Sequence, residues 1–132
     1  MRTSFAMSLA GRHGLSGIDL FSRKRDMAII RATEREGDTI RGADHGATVS
    51  LILDRSAPGG GPRLHRHPYD ETWVVQAGTV TFTAGKETHQ AGPGDVVVMP
   101  AGVAHKFTNK GPGDTELVCI HASPMIIGEW LE

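Results

Sequence analysis

Turn signals recur along this chain at intervals of about ten residues from position 56 onward, and no other feature limits its fold so tightly. SAPGGGP (56–62), Ala77-Gly78, Ala84-Gly85-Lys86, Gly94-Asp95, Pro100 to Gly102 and KGPGD (110–114) each put glycine or proline where a chain must reverse. Between them lie short runs that strands favour: Ala47 to Arg55, Asp70 to Gln76, Thr79 to Thr83, Glu87 to Gln90, Val96 to Met99, His105 to Asn109 and Thr115 to His121. Such segments are too short for helices of ordinary length, and the 17 glycines and 7 prolines among 132 residues point the same way. An all-β antiparallel barrel or sandwich is expected. A further strand is expected at Met27 to Ala32, ending in the charged TEREGD (33–38), and Val49, Leu51 and Leu53 should share one face of the Ala47 to Arg55 strand.

One domain is expected, spanning 27–132. Residues 1–26 show no sustained period of two or 3.6 and read as an irregular arm, although Phe5, Leu9, Ile18, Leu20 and Phe21 are too apolar for a wholly solvated tail. The net charge of -1 gives no general attraction for nucleic acid or anionic lipid. The only basic run, Arg23-Lys24-Arg25, reads as solvated, and no apolar run approaches the ~20 residues of a membrane span. A single cysteine, Cys119, allows no internal disulfide, and with no signal-peptide pattern the expected compartment is the cytoplasm.

Chemistry concentrates in GGGPRLHRHPYDETWVVQAG (59–78). His65 and His67 are two apart and Glu71 four further on, so in an extended chain all three side chains leave one face, while Asp70 has the opposite parity. Imidazoles and a carboxylate on one face are metal-ligand types. Trp73 and Val75 share that parity and are expected as walls beside the ion. Downstream, AGPGDVVVMPAGVAHKFTN (91–109) carries His105 in alternation with Phe107 and Asn109. His45 and His89 read as loop or solvent-facing residues, and His121 as structural.

The spacing of the two stretches is Gly59, five residues, His65, one, His67, three, Glu71, six, Gly78, then Gly94, five, Pro100, one, Gly102, two, His105, three, Asn109. This resembles the two signature motifs of the cupin superfamily at every fixed position, as in its small single-domain members. The resemblance implies a jelly-roll barrel of about eight to ten short strands with one divalent transition metal (Fe, Mn, Ni, Zn, Co or Cu) held by His65, His67, Glu71 and His105. It alone implies that His105 faces the other three. Gly59, Gly78, Gly94, Pro100, Gly102 and Asn109 are expected to serve turns and packing.

Resemblance further suggests a metal-dependent enzyme, oxygenase or isomerase-like, with Glu71 as a possible base and a mostly apolar pocket of Trp73, Val75, Met99 and Phe107. Arg63 is the one cation placed to meet a substrate carboxylate. The alternative is a non-catalytic module that binds a metal and a small ligand. A homodimer is also implied, and the apolar stretches Met27 to Ile30 and Ile126 to Leu131 are consistent with a seam.

Overall fold

The computed structural model of the protein describes residues 3–6 and 26–132. The expected strand runs emerge as strands because each meets a partner. Two antiparallel sheets face one another. The six-stranded sheet runs in the order β1 (Thr3–Ala6), β11 (Ile127–Trp130), β4 (His65–Arg66), β9 (His105–Thr108), β6 (Val80–Ala84), β7 (Glu87–Ala91). The five-stranded sheet runs β2 (Thr39–Ile40), β3 (Ser50–Ser56), β10 (Thr115–His121), β5 (Glu71–Ala77), β8 (Val96–Met99). A single 3-10 turn, Gly42–His45, is the only helical element among the described residues.

Alternation sorts the side chains. On β5, Glu71, Trp73 and Val75 are buried while Thr72 and Val74 are half-buried; on β10, Thr115, Leu117, Cys119 and His121 point inward. Trp73, Val75, Val80, Phe82, Ala91, Met99, Phe107, Leu117 and Cys119 form the core between the sheets. Trp73 anchors it, packing against Phe82 at 5.0 Å and Phe107 at 6.3 Å between ring centroids. The opposite face of the five-stranded sheet is also apolar. Register aligns Leu53, Val118, Val74 and Val96 in one row and Leu51, Ile120, Thr72 and Val98 in the next.

The loops at the two ends of the motifs close on each other. Gly59 N–H donates to the Asn109 carbonyl at 2.6 Å, and Asn109 N–H donates to that of Gly60 at 2.9 Å. Gly61 lies so near that a Cβ would fall 2.0 Å from the Phe107 carbonyl oxygen. At Gly78 a φ of +78° and the Asp114 carbonyl, 2.6 Å from any Cβ, exclude other residues. Asn109 is 1% exposed: its amide donates to the carbonyls of Ser56 and Gly113, and its Oδ1 accepts from Gly111 N–H. The motif residues expected to serve turns do so here.

Two expectations are corrected. Met27 to Ala32 forms no strand; Met27 is 89% and Ile29 59% exposed, and although Ile29 and Ile30 lie across a pocket from the edge strand β2, strand propensity alone does not build a ladder there. On β3 Leu51 and Leu53 share one face as expected, with Val49 just before the strand, and the ladder to β10 turns that face outward, so that the buried face carries Ser50, Ile52 and Ser56, with Ile52 packed on the core. Within the arm expected to be irregular, Thr3–Ala6 is a strand paired antiparallel to β11. The basic run Arg23 to Arg25, His13, Leu9, Ile18, Leu20 and Phe21 lie outside the described residues, and of Phe5 only the backbone is described.

Candidate metal centre

His65 and His105 face each other directly in the β4–β9 ladder, and Gly102 N–H donates to the His67 carbonyl at 2.8 Å. The two motifs are thus opposing strands of one antiparallel run, which is why residues forty apart in sequence meet. Between His67 and Glu71 the chain crosses from the six-stranded to the five-stranded sheet, turning through Pro68 and Asp70. Asp70 serves that crossing by accepting from Ala101 N–H at 2.8 Å. Glu71 therefore approaches the three imidazoles from the facing sheet rather than from beside them.

His65, His67, Glu71 and His105 each offer a ligand atom within 4.8 Å of the others, and the four are between 2% and 6% exposed. Each imidazole is oriented from behind. His65 Nδ1 is 2.7 Å from the Arg63 carbonyl, His67 Nδ1 2.6 Å from that of Ile127, and His105 Nδ1 2.8 Å from that of Val103. A carbonyl only accepts, so each Nδ1 carries a proton and Nε2 is the atom turned to the interior, where it presents a lone pair to an ion once its own proton has left. Glu71 Oε1 lies 3.1 Å from His67 Nε2 and 3.2 Å from His105 Nε2. Three imidazole lone pairs and a carboxylate oxygen converging in a buried space form the donor set of a divalent transition ion. The residues present fit such an ion.

Electrostatics agree. Burial would raise the Glu71 pKa, but in the metal-free protein its hydrogen bond with His105 and its close contacts with the His121 and His67 imidazoles outweigh that and hold the carboxyl well below the usual range. Burial lowers His65 to about 4 against the opposing Arg63 carbonyl, so it is neutral and ready to ligate near pH 7. Burial pushes the Tyr69 phenol up to about 12.

Of the expected pocket residues, Trp73, Val75 and Phe107 lie in the core, with Trp73 edge-on to His105 at 5.3 Å. Met99 is the cross-strand neighbour of Glu71 and also lines a groove of about 470 Å³ between β7 and β8, with Phe82, Val97, Pro100 and Val103. Arg63 sits over the Trp130 ring, its guanidinium carbon 4.9 Å from the centroid, and Trp130 in turn meets His65 at 5.5 Å. His45 and His89 are exposed.

Sequence reasoning missed two members of the centre. His121 is 2% exposed, is the register partner of Glu71, and sets Nε2 3.2 Å from Glu71 Oε2. Its parity with Leu117 and Cys119 was the available signal. Tyr69 stacks on His67 at 5.0 Å and 12°, with its hydroxyl 2.7 Å from His121 Nδ1.

Comparison with known proteins bears on the whole architecture. The family model described as "Cupin domain" matches residues 53–121. An uncharacterized protein of Streptomyces coelicolor is 36% identical over 89 residues, which cover 61% of this chain and 83% of that one. Among solved structures, a conserved protein with a double-stranded beta-helix domain from Klebsiella pneumoniae aligns with TM-score 0.58 at 20% identity, over 77% of this chain and 97% of that one. A sugar phosphate isomerase of the cupin superfamily from Silicibacter pomeroyi aligns with TM-score 0.55 at 24% identity, over 67% and 66%. Among the described residues no helix is long and apolar enough to cross a membrane.

Proposed function

The chain belongs to the cupin domain family, and we propose that it is a metal-dependent enzyme of small molecules, oxygenase or isomerase-like, whose ion is held by His65, His67, Glu71 and His105. The observation that carries this reading is the set of three backbone carbonyls, each fixing one imidazole so that its Nε2 turns towards the Glu71 carboxylate in a buried space. When bound, the ion supplies Lewis acidity towards substrate oxygens and, if it is iron or copper, electrons for dioxygen chemistry. The chain's own residues orient and desolvate. The carbonyls of Arg63, Ile127 and Val103 hold the rings, and Trp73 closes the inner side against water. Glu71 is the one carboxylate among the four ligands, and it takes a proton from a substrate carbon or hydroxyl only on leaving the ion and the imidazole contacts that depress its pKa. The groove beside Met99 offers a small molecule an apolar berth next to the strand that carries Glu71.

The test is turnover by protein loaded separately with iron(II), copper(II), manganese(II), nickel(II), cobalt(II) and zinc(II). Dioxygen uptake with catechols, thiols or 1,3-diketones supports the oxygenase form, and NMR-detected interconversion of aldose and ketose phosphates supports the isomerase form. A non-catalytic module is the second reading, favoured by the near-complete burial of all four ligands; tight ligand binding with no turnover would establish it in place of the enzyme.

The protein acts as a homodimer in this proposal, through the two apolar rows on the five-stranded sheet, where Val96 is 59% and Val98 62% exposed. Light scattering should give about twice the 14.1 kDa chain mass, falling to a single chain when Val96 and Val98 are both replaced by Lys. A single-chain mass for the unaltered protein would overturn the dimer. A cytoplasmic setting fits the single buried, unpaired cysteine.

A further inference from the structure

We propose that Tyr69 and His121 are a positioning pair that holds Oε2 of Glu71, so that Glu71 offers its ion a single oxygen, Oε1. The inference rests on the metal-binding reading above and concerns residues that lie outside the four-ligand set. Its starting point is the ladder between β5 and β10, in which His121 is directly opposite Glu71. Facing side chains in such a pair cannot avoid each other, and here both are at most 4% exposed.

The proton positions follow from a chain of donors. Ile127 N–H donates to the Tyr69 hydroxyl oxygen at 3.2 Å, so that oxygen is already an acceptor and its own hydrogen is left to give. The neighbour placed to take it is His121 Nδ1, at 2.7 Å. A neutral imidazole that accepts at Nδ1 carries its hydrogen on Nε2, and Nε2 stands 3.2 Å from Oε2 of Glu71. Apart from that ion-pair contact His121 Nε2 has no aligned hydrogen-bond partner, although it is buried. The contact with Oε2 is therefore a close approach of the imidazole N–H dipole to a carboxylate rather than an aligned hydrogen bond, in a dry setting that strengthens such attraction. Oε2 is thus engaged from the β10 side, while Oε1 faces the His67 and His105 nitrogens.

Ile127 ties the pair to the ligands. Its N–H fixes Tyr69 and its carbonyl fixes His67 Nδ1 at 2.6 Å, while the Tyr69 ring stacks on His67. One residue of β11, through the two peptide groups that flank it, therefore sets the orientation of a ligand and of the pair that orients another ligand. Removing an orienting partner of this kind typically weakens metal affinity about 10–100-fold.

The experiment uses the full chain and two readouts. Cobalt(II) affinity, by competition with a chromophoric chelator, and the cobalt d–d absorption are measured for the unaltered protein, Tyr69→Phe, His121→Leu, His121→Gln and the Tyr69→Phe, His121→Leu double variant, all checked for folding by circular dichroism. Affinity should fall about tenfold or more for His121→Leu. The double variant should match it, because Tyr69 acts through His121. The d–d bands should shift in both, and His121→Gln, which can still donate to Oε2, should recover much of the loss. Independently of any ion, side-chain ¹⁵N NMR of the metal-free protein should show His121 protonated at Nε2, and Tyr69→Phe should disturb that tautomer. If cobalt binds normally to His121→Leu with unchanged bands, the pair does not position Glu71 while the metal centre stands. If the unaltered protein binds no cobalt, the metal reading fails, and this proposal falls with it; an Nδ1-protonated His121 in the metal-free protein refutes the pair separately.

Discussion

Asn109 is the clearest place to separate what builds the barrel from what fills it. Replacing it by Ala removes three side-chain hydrogen bonds, to the carbonyls of Ser56 at 2.9 Å and Gly113 at 2.8 Å and from Gly111 N–H at 2.7 Å. The two backbone bonds that its own peptide makes to Gly59 and Gly60 survive. At about 1 kcal/mol for each lost bond the cost is about 3 kcal/mol. For a domain of this size that lowers the melting temperature by about 12 °C. Asn109→Asp should be at least as harmful, because it loses both donors and turns a buried negative charge towards the Ser56 and Gly113 carbonyls. Thermal unfolding by circular dichroism reads both variants, and elemental analysis reads the ion content of the folded fraction, which should be unchanged. A melting temperature within about 2 °C of the unaltered protein, or an Asp variant milder than the Ala variant, would refute the hydrogen-bond account.

Two further outcomes follow from the same geometry. Gly61→Ala should cost at least about 2 kcal/mol in urea unfolding, since its Cβ would meet the Phe107 carbonyl. Gly85→Ala, with φ of +62° and open space around it, should cost about 1 kcal/mol; equal losses would contradict the close approach. Metal-free protein should lose stability as pH falls from about 6.5 towards 4, because His65 takes up a proton in the unfolded chain near 6.5 but in the fold only near about 4. Glu71, with its folded pKa depressed, likewise contributes stability present above its unfolded value of 4.5 and lost as pH falls through its folded one. Urea titrations of the protein and of His65→Gln across that window measure the His65 part as their difference, and a difference that does not change with pH would contradict it.

Much of the barrel is readable from residues because turn chemistry is local: glycines that need positive φ announce strand ends, and alternation between them announces a buried face. Met27 to Ala32 shows the limit, since pairing needs an edge that no local pattern reports. β3 shows another, because its apolar residues occur at both parities and only the ladder to β10 decides which go inward. The same holds at the centre. Parity placed His65, His67 and Glu71 together, yet the chain changes sheets between His67 and Glu71, and the agreement arises because the two sheets face each other. His105 became legible only through the spacing of the second motif. Tyr69 belongs to no spacing rule, and parity with Leu117 and Cys119 turns His121 inward without saying what it meets; they reach Glu71 through a cross-strand register and a hydroxyl, both of which are tertiary facts.

The central claim is that four side chains from two facing sheets hold one ion. It is tested most directly by elemental analysis after equilibrium dialysis of protein purified without a chelating tag, beside the His65→Ala, His105→Ala double variant. The account predicts close to one transition-metal ion per chain in the unaltered protein and none in the folded double variant. An ion retained by the double variant, or none held by the unaltered protein, would contradict it.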